Sequence, residues 1–244
     1  MAVLVAGLSA AGSAVPATQS APPAAEAVAP EPGVTTPQVS WVARVLLPSA
    51  GRSAPNARAR TVGRVMHYTA YSRRPNDLMV TGTFVEPDGR RWVRVQLPKR
   101  PNGSTAWLPE SAVQLRPLTT RIRVRLSSRT VEVIRGGRVV KRFRAAVGTG
   151  GTPTPVGTFA VQDPVHSSPS QRSYLGPYII TLTAFSPVLR TFMGGPGLIA
   201  IHGTSAPQLL GQAVSHGCIR VSNDSVSKLW SVVEPGMQVQ ITRS

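Results

Sequence analysis

The sequence predicts a mainly β protein in two parts, a small β-barrel followed by a larger β-rich domain with one short helix. Three observations carry this prediction. Glycine (22) and proline (23) together approach a fifth of the 244 residues, which favours frequent turns over long helices. The apolar runs are short, rich in β-branched residues and often alternate with polar ones. Only one stretch, "SNDSVSKLWSVVEPG", carries apolar residues at helical spacing.

Along the chain, residues 1–56 read as an N-terminal segment without a core of its own. "MAVLVAGLSAAGSAVPA" is a short apolar run ending in small residues, with Gly12-Ser13-Ala14 and Val15-Pro16-Ala17 resembling signal-peptidase sites. It lacks a positive n-region, is short for a membrane span, and is read as an export signal that touches the membrane only transiently. Residues 18 to about 40 are Pro/Ala-rich and read as a linker. "LPSAGRSAPNARAR" is a second loose stretch. Residues 57–117 then show short strands and turn signals: "MHYTAYS" with His67, "LMVTGTFV", the turn around Asp88-Gly89, and "RWVRVQLP". In the last of these, Val93, Val95 and Leu97 should face inward, and Trp92, Arg94 and Gln96 outward. The order W-V-R-V, a Pro/Gly loop, then W-L-P resembles bacterial SH3-like domains.

Residues 118–244 form the second predicted domain. "RIRVRL" turns Ile122, Val124 and Leu126 inward and three arginines outward. "TVEVI" and "VVKRFRAAV" flank Gly136-Gly137 as a hairpin. "TFAVQD", "YIITLTAF", "LIAIHG" and "VQITR" are further strands. The helix is capped by Ser222 or Asn223, has Asp224 in its first turn, presents Val226, Leu229, Trp230 and Val233 at helical spacing, and ends at Pro235-Gly236.

The net charge is +17, and no Lys or Arg precedes Arg44, so all 27 cations lie downstream with eight of the ten acids. So basic a surface steers the protein toward a polyanion. An anionic cell envelope is one candidate; nucleic acid is the other, but no base-reading motif accompanies the charge, and export would exclude it.

The chemistry concentrates around the single cysteine. Cys218 lies in "SHGCIR", two residues after His216, and 16 residues after His202 in "IAIHGT". An isolated cysteine can be an inert core thiol, a metal ligand with His202 and His216, or a nucleophile. For zinc, a fourth ligand such as His166 or Asp163 has no motif around it. As a nucleophile, Cys218 has a histidine as natural base. Gly217 permits a sharp turn and close approach to peptide N–H groups. Gly203 can offer its carbonyl to the second ring nitrogen of His202. A free thiol is about 3% ionised at pH 7 and one with pKa ~6.5 about 75%. The gain is partly lost as nucleophilicity falls. Oxyanion donors, at roughly 3–4 kcal/mol each, and positioning therefore matter more.

His202-Gly203-Thr204 followed by Ser215-His216-Gly217-Cys218-Ile219-Arg220 resembles the catalytic signature of the L,D-transpeptidase family. "GTGGTPTPVGTF", residues 148–159, is similar to that family's Gly…Thr-Pro-x-Gly-x-Phe segment, and the Asn223-Asp224 helix start is a further match. The resemblance covers residues 119–243. It implies a β-sandwich-like fold with a short helix after the catalytic cysteine, and an exported enzyme of the cell wall acting on peptidoglycan stem peptides. By position it makes Cys218 the nucleophile and His202 the general base and acid. His216 and Gly217 shape an oxyanion pocket fed by N–H groups of 216–218. Arg220, Ser215, Thr204 and Tyr178 are the candidate substrate contacts. Family members carry Asn or Arg at the position of Arg220; the arginine can grip a carboxylate bidentately. No cofactor and no metal is implied.

Blander roles stand beside these. His216 can simply hold its loop, and Arg220 can pair with Asp224. Thr154, Pro155 and Gly157 read as a supporting turn, and His166 as a solvated loop residue. "PVHSSPSQRSYLG" with Tyr178 reads as a lid over the donor peptide or as a plain connection. Hydrolysis by the same site and a wall-binding protein without turnover are the competing functions.

Overall fold

A computed structural model describes residues 32, 33, 35, 36 and 38–244. The expected export signal and most of the Pro/Ala-rich linker lie outside the described residues. Among these residues, no helix is long and apolar enough to cross a membrane.

The N-terminal part is one antiparallel sheet of seven strands: β1 (Ser40–Val45), β2 (Ser49–Arg52), β3 (Thr61–Val65), β4 (Asp77–Val85), β5 (Arg91–Gln96), β6 (Thr105–Pro109) and β7 (Val113–Leu118). Their order is β3-β2-β6-β5-β4-β1-β7, so the expected barrel is a sheet with β3 and β7 as edges. It wraps a core that includes Trp41, Val80, Val93, Val95 and Leu108. The boundary expected at residue 57 falls inside this sheet, because β1 pairs with both β4 and β7. Trp41, Val42, Ala43 and Val45 are buried there. The Pro-rich flanks conceal a run whose burial comes from partners distant in sequence. His67, expected on a strand, lies just beyond β3 in the 66–76 loop.

The C-terminal part contains β8 (Thr120–Arg125), β9 (Thr130–Arg135), β10 (Arg138–Arg144), β11 (Val147–Gly148), β12 (Gly157–His166), α1 (Pro169–Leu175), β13 (Tyr178–Phe185), β14 (Leu198–His202), β15 (Ala213–Ser215), β16 (Ile219–Arg220), α2 (Asn223–Trp230) and β17 (Gln238–Thr242). Eight strands form a mixed sheet, β10-β9-β8-β17-β12-β13-β14-β16, and β11 pairs with β15 alone. The expected sandwich is thus one mixed sheet around an apolar core, and α2 joins that core through Val226 and Leu229. Two helices are present rather than one. The second, α1, starts at Ser168-Pro169, where the Ser168 N–H donates to Gln171 Oε1 at 3.2 Å, a capping pattern with proline in the first turn.

The two sheets are joined by specific contacts. Gln96 of β5 donates to the Thr158 carbonyl and accepts from the Thr183 hydroxyl, at 2.9 and 2.6 Å. Asn102 makes a reciprocal pair with the Phe185 backbone, at 2.9 and 2.8 Å. Arg116 bridges Asp77 and Glu234 at 3.1 and 2.8 Å. The polar face predicted for β5 holds only in part: Val93, Val95 and Leu97 are buried and Arg94 is exposed as expected, but Trp92 and Gln96 are buried too. The second sheet covers Gln96, and a buried amide is tolerated when its donors and acceptors are matched.

Candidate active site

Strand alternation builds the floor of the site. On β14, Ile199 and Ile201 point into the core, while Leu198, Ala200 and His202 line a cleft of about 680 Å³. On β13 the same alternation sends Ile180 and Leu182 inward and Ile179 and Thr181 to the cleft. On β16, Ile219 is buried, and Cys218 and Arg220 on either side of it reach the cleft. The parallel register pairs Ile201 with Ile219 and His202 with Arg220. Cys218 is therefore a diagonal neighbour of His202 on the same face. Strands about 4.8 Å apart and a two-residue offset of about 6.6 Å separate their Cα atoms by about 8 Å, and both residues line the cleft.

His202 is buried, at 6% exposure, and its Nδ1 lies 2.7 Å from the Gly203 carbonyl. A carbonyl only accepts, so Nδ1 carries the proton. Burial lowers the ring pKa to about 4, opposed by the Gly203 bond and reinforced by Arg220. Near neutral pH the ring is uncharged with a free lone pair on Nε2, as a general base requires. Cys218 is partly buried, with Sγ 3.9 Å from the Leu198 carbonyl. Burial pushes its pKa above the usual thiol value, against the lowering by the Ala200 backbone and Arg220. Both shifts favour the neutral forms, thiol and imidazole, over a preformed ion pair.

The cysteine turn is held from two sides. Ser215, expected at the substrate, is buried; its hydroxyl donates to the Cys218 carbonyl at 2.6 Å and accepts from the Gly217 N–H at 3.1 Å. Its hydrogen-bonding capacity is directed into the turn. Gly217 has φ +116°, a conformation an L side chain rarely adopts. From below, Thr154 donates to the Gly217 carbonyl at 2.8 Å and accepts from the Gly148 N–H at 2.9 Å. Thr152 donates to the Ser215 carbonyl at 3.1 Å. The Thr-Pro segment is therefore the buttress of the cysteine loop.

Asn223 supports the histidine side, a contact the sequence reading missed. With Ser222 capping α2 through the Ser225 N–H at 3.0 Å, Asn223 Oδ1 is free to accept from the Thr204 N–H at 3.0 Å. A Cβ on Gly203 or Gly176 would collide with that same oxygen. Thr204 lines the cleft, and its hydroxyl accepts from the Ala206 N–H at 3.1 Å.

Other expected residues are placed as follows. Arg220 lines the cleft, and among the described residues no carboxylate forms an ion pair with it; Asp224 pairs instead with Lys228 at 2.7 Å. His216 is exposed, its ring 5.0 Å from that of Phe192. Tyr178 is not a lining residue: it stacks on Trp230 at 4.4 Å, and the tyrosines at the cleft are Tyr71 and Tyr174. His166 lines the cleft and packs on Trp230 at 4.8 Å. Among the described residues no three His, Cys, Asp or Glu side chains are grouped to hold a metal ion. Asp163, weighed above as a zinc ligand, accepts hydrogen bonds from Tyr71 and Ser72.

The cleft beside the mixed sheet thus brings Cys218 together with His202, His166 and His216 among its lining residues. Residues 119–241 match the YkuD family, the L,D-transpeptidase catalytic domain, and the chain belongs to that family. The YkuD proteins of Bacillus licheniformis and Bacillus subtilis are 37% and 34% identical over 122 residues. That alignment covers 50% of this chain and 65% of either relative. An L,D-transpeptidase structure from Mycobacterium smegmatis superposes with a TM-score of 0.40 at 16% identity, over 82% of this chain and 99% of that one.

Proposed function

We propose that the protein is a peptidoglycan L,D-transpeptidase in which Cys218 is the nucleophile and His202 the general base and acid. The observation that supports this most is the shared cleft face of Cys218 and His202, with Nδ1 committed to Gly203. His202 Nε2 takes the thiol proton as Sγ attacks the carbonyl of the third stem residue. The oxyanion is met by backbone N–H groups. Since the Gly217 N–H is engaged by Ser215, this duty falls to those of His216 and Cys218. The tetrahedral intermediate collapses, the amine of the terminal D-residue leaves with the proton from His202, and a thioester remains. An acceptor amine then attacks the thioester and gives its proton to His202; the sulfur leaves and is reprotonated, yielding a 3→3 cross-link. Arg220, without a carboxylate partner, is suited to a substrate carboxylate.

Because the resting thiol is neutral, proton transfer and attack are coupled, and the rate depends on positioning more than on thiolate population. Incubating the protein with a disaccharide-tetrapeptide tests the reading by mass spectrometry. A thioester on Cys218 with released D-alanine supports it; no adduct and no D-alanine favours a binding protein without turnover. Adding an acceptor stem separates cross-linking from hydrolysis.

The substrate lies outside the cytoplasmic membrane, so the proposal includes export, tested by fractionating cells that carry the chain with and without residues 1–17. The N-terminal sheet is proposed to be an SH3-like module. Basic residues exposed on β10, among them Arg138, Lys141 and Arg144, suit an anionic wall polymer; a sedimentation assay with purified wall tests that contact.

A further inference from the structure

One residue lining the cleft lies outside the family-matched region. Tyr71, in the 66–76 loop between β3 and β4, lines the cleft together with Cys218 and His202. We propose that Tyr71 is a substrate-contacting specificity residue, gripping the part of the peptidoglycan donor beyond the reacting carbonyl; this rests on the reading given under Proposed function.

The loop is seated on a socket made for it. Asp163 of β12 is fully buried, at a register irregularity between β12 and β13. Its Oδ2 accepts from the N–H groups of Tyr71 and Ser72 at 2.8 and 2.9 Å. Its Oδ1 accepts from the Ser72 hydroxyl. A buried carboxylate needs matched donors, and here the N-terminal loop provides all three side-chain contacts. Within the loop, the Thr69 N–H donates to the Arg74 carbonyl at 2.8 Å, and the Arg74 N–H to the Thr69 hydroxyl at 3.1 Å. The Arg74 guanidinium lies over Trp230 at 5.3 Å. The backbone is pinned at Tyr71 itself, yet the residue is 57% exposed.

A pinned backbone carrying an exposed aromatic ring is a pre-organised contact. Little freedom remains to be lost on binding, and a tyrosine offers an apolar face with a polar tip. Tyr174, also exposed, lines the same cleft. A sugar-linked stem peptide has the mixed polar and apolar surface that such a rim suits. Binding energy gathered there, away from the reaction, can be used to position the carbonyl at Cys218.

The test uses the full chain carrying Cys218→Ala, in which no acyl transfer can occur, titrated calorimetrically with disaccharide-tetrapeptide. Adding Tyr71→Ala should weaken binding about tenfold, the scale of a lost aromatic contact. Tyr71→Phe should retain most of the affinity if the ring face makes the contact. In the chain with Cys218 intact, Tyr71→Ala should raise KM for the donor while iodoacetamide alkylates Cys218 at the wild-type rate, which excludes a misfolded site. Equal affinity with and without the Tyr71 ring overturns the inference, as does an absence of donor binding to Cys218→Ala. A Tyr71-dependent affinity in a protein that makes no thioester would sustain the inference while removing the transpeptidase reading.

Discussion

On the cleft floor, His202 and Arg220 stand on neighbouring strands whose backbone ladder sets their spacing, with Cys218 just before the second, whereas at the rim Tyr71 and Phe192 stand on loops held by side-chain contacts. The floor is continuous with the apolar core beneath it through Ile199, Ile201 and Ile219. The rim depends on the other sheet. Tyr71 is seated on Asp163, and Arg100 of the N-terminal part donates to the carbonyls of Ser186, Leu189 and Pro196, at 2.8, 2.9 and 3.2 Å. That second contact holds the segment in which Phe192 and Gly195 exchange hydrogen bonds at 2.9 Å around Met193 and Gly194, and Met193 is 71% exposed. On the proposed reading, the contrast separates chemistry from selection: the strands present the reacting groups, and the N-terminal part, through Tyr71 and Arg100, borders what reaches them.

Altering the floor should have the largest effects. Cys218→Ala should abolish thioester formation in the mass-spectrometric assay, with the fold retained. His202→Gln should lower kcat/KM by roughly 10²- to 10⁴-fold, the usual range for a general base; an unchanged rate would remove His202 from the chemistry.

Acid should weaken the floor next. Unfolded His202 binds a proton below about 6.5, the folded residue only near 4. Between these values the unfolded state holds more protons, so stability is full above pH 6.5 and falls as pH drops toward 4. The loss approaches on the order of 3 kcal/mol. Urea midpoints at pH 7 and pH 4.5 measure it, and His202→Gln should flatten that part of the profile. By the same burial, alkylation of Cys218 should keep rising with pH beyond the range of a free thiol, as stopped-time mass spectrometry would record.

The buttress comes third. Thr154→Val keeps the volume but leaves the Gly217 carbonyl and the Gly148 N–H without their partner, at a cost of about 2 kcal/mol in urea unfolding and a several-fold lower kcat. At the rim, Arg100→Ala should change stability by only about 1 kcal/mol and raise donor KM several-fold with kcat less affected. An equal fall in kcat would show that the loop takes part in the chemistry and not only in binding.

Local signals made much of the floor legible. Alternation marked the strands, "SHGC" and "IHGT" marked the reacting pair, and the apolar spacing marked α2. Gly203 and Gly217 stood where close approach is needed, and the geometry of both carries a physical reason. Helix α1 was missed although Ser168-Pro169-x-Gln171 is a capping pattern, because no buried apolar stripe accompanies it. Strand β1 was missed because its partners, β4 and β7, lie beyond any local window. Ser215 lines the cleft as the motif suggests and also closes the cysteine turn, whereas Tyr178, placed at the cleft by sequence, stacks on Trp230.

The sequence by itself determined the residue types of the cysteine–histidine pair, their separation along the chain, and the family to which residues 119–241 belong. All three follow from short motifs whose chemistry is local. Only the tertiary structure decided that Asp163 accepts the hydrogen bonds of a loop, that Asn223 braces Thr204, and that Tyr71 of the N-terminal part lines the cleft. Those contacts join residues some 20 to 90 positions apart, and a hydrogen bond between such groups leaves no periodicity or spacing for a linear reading to detect.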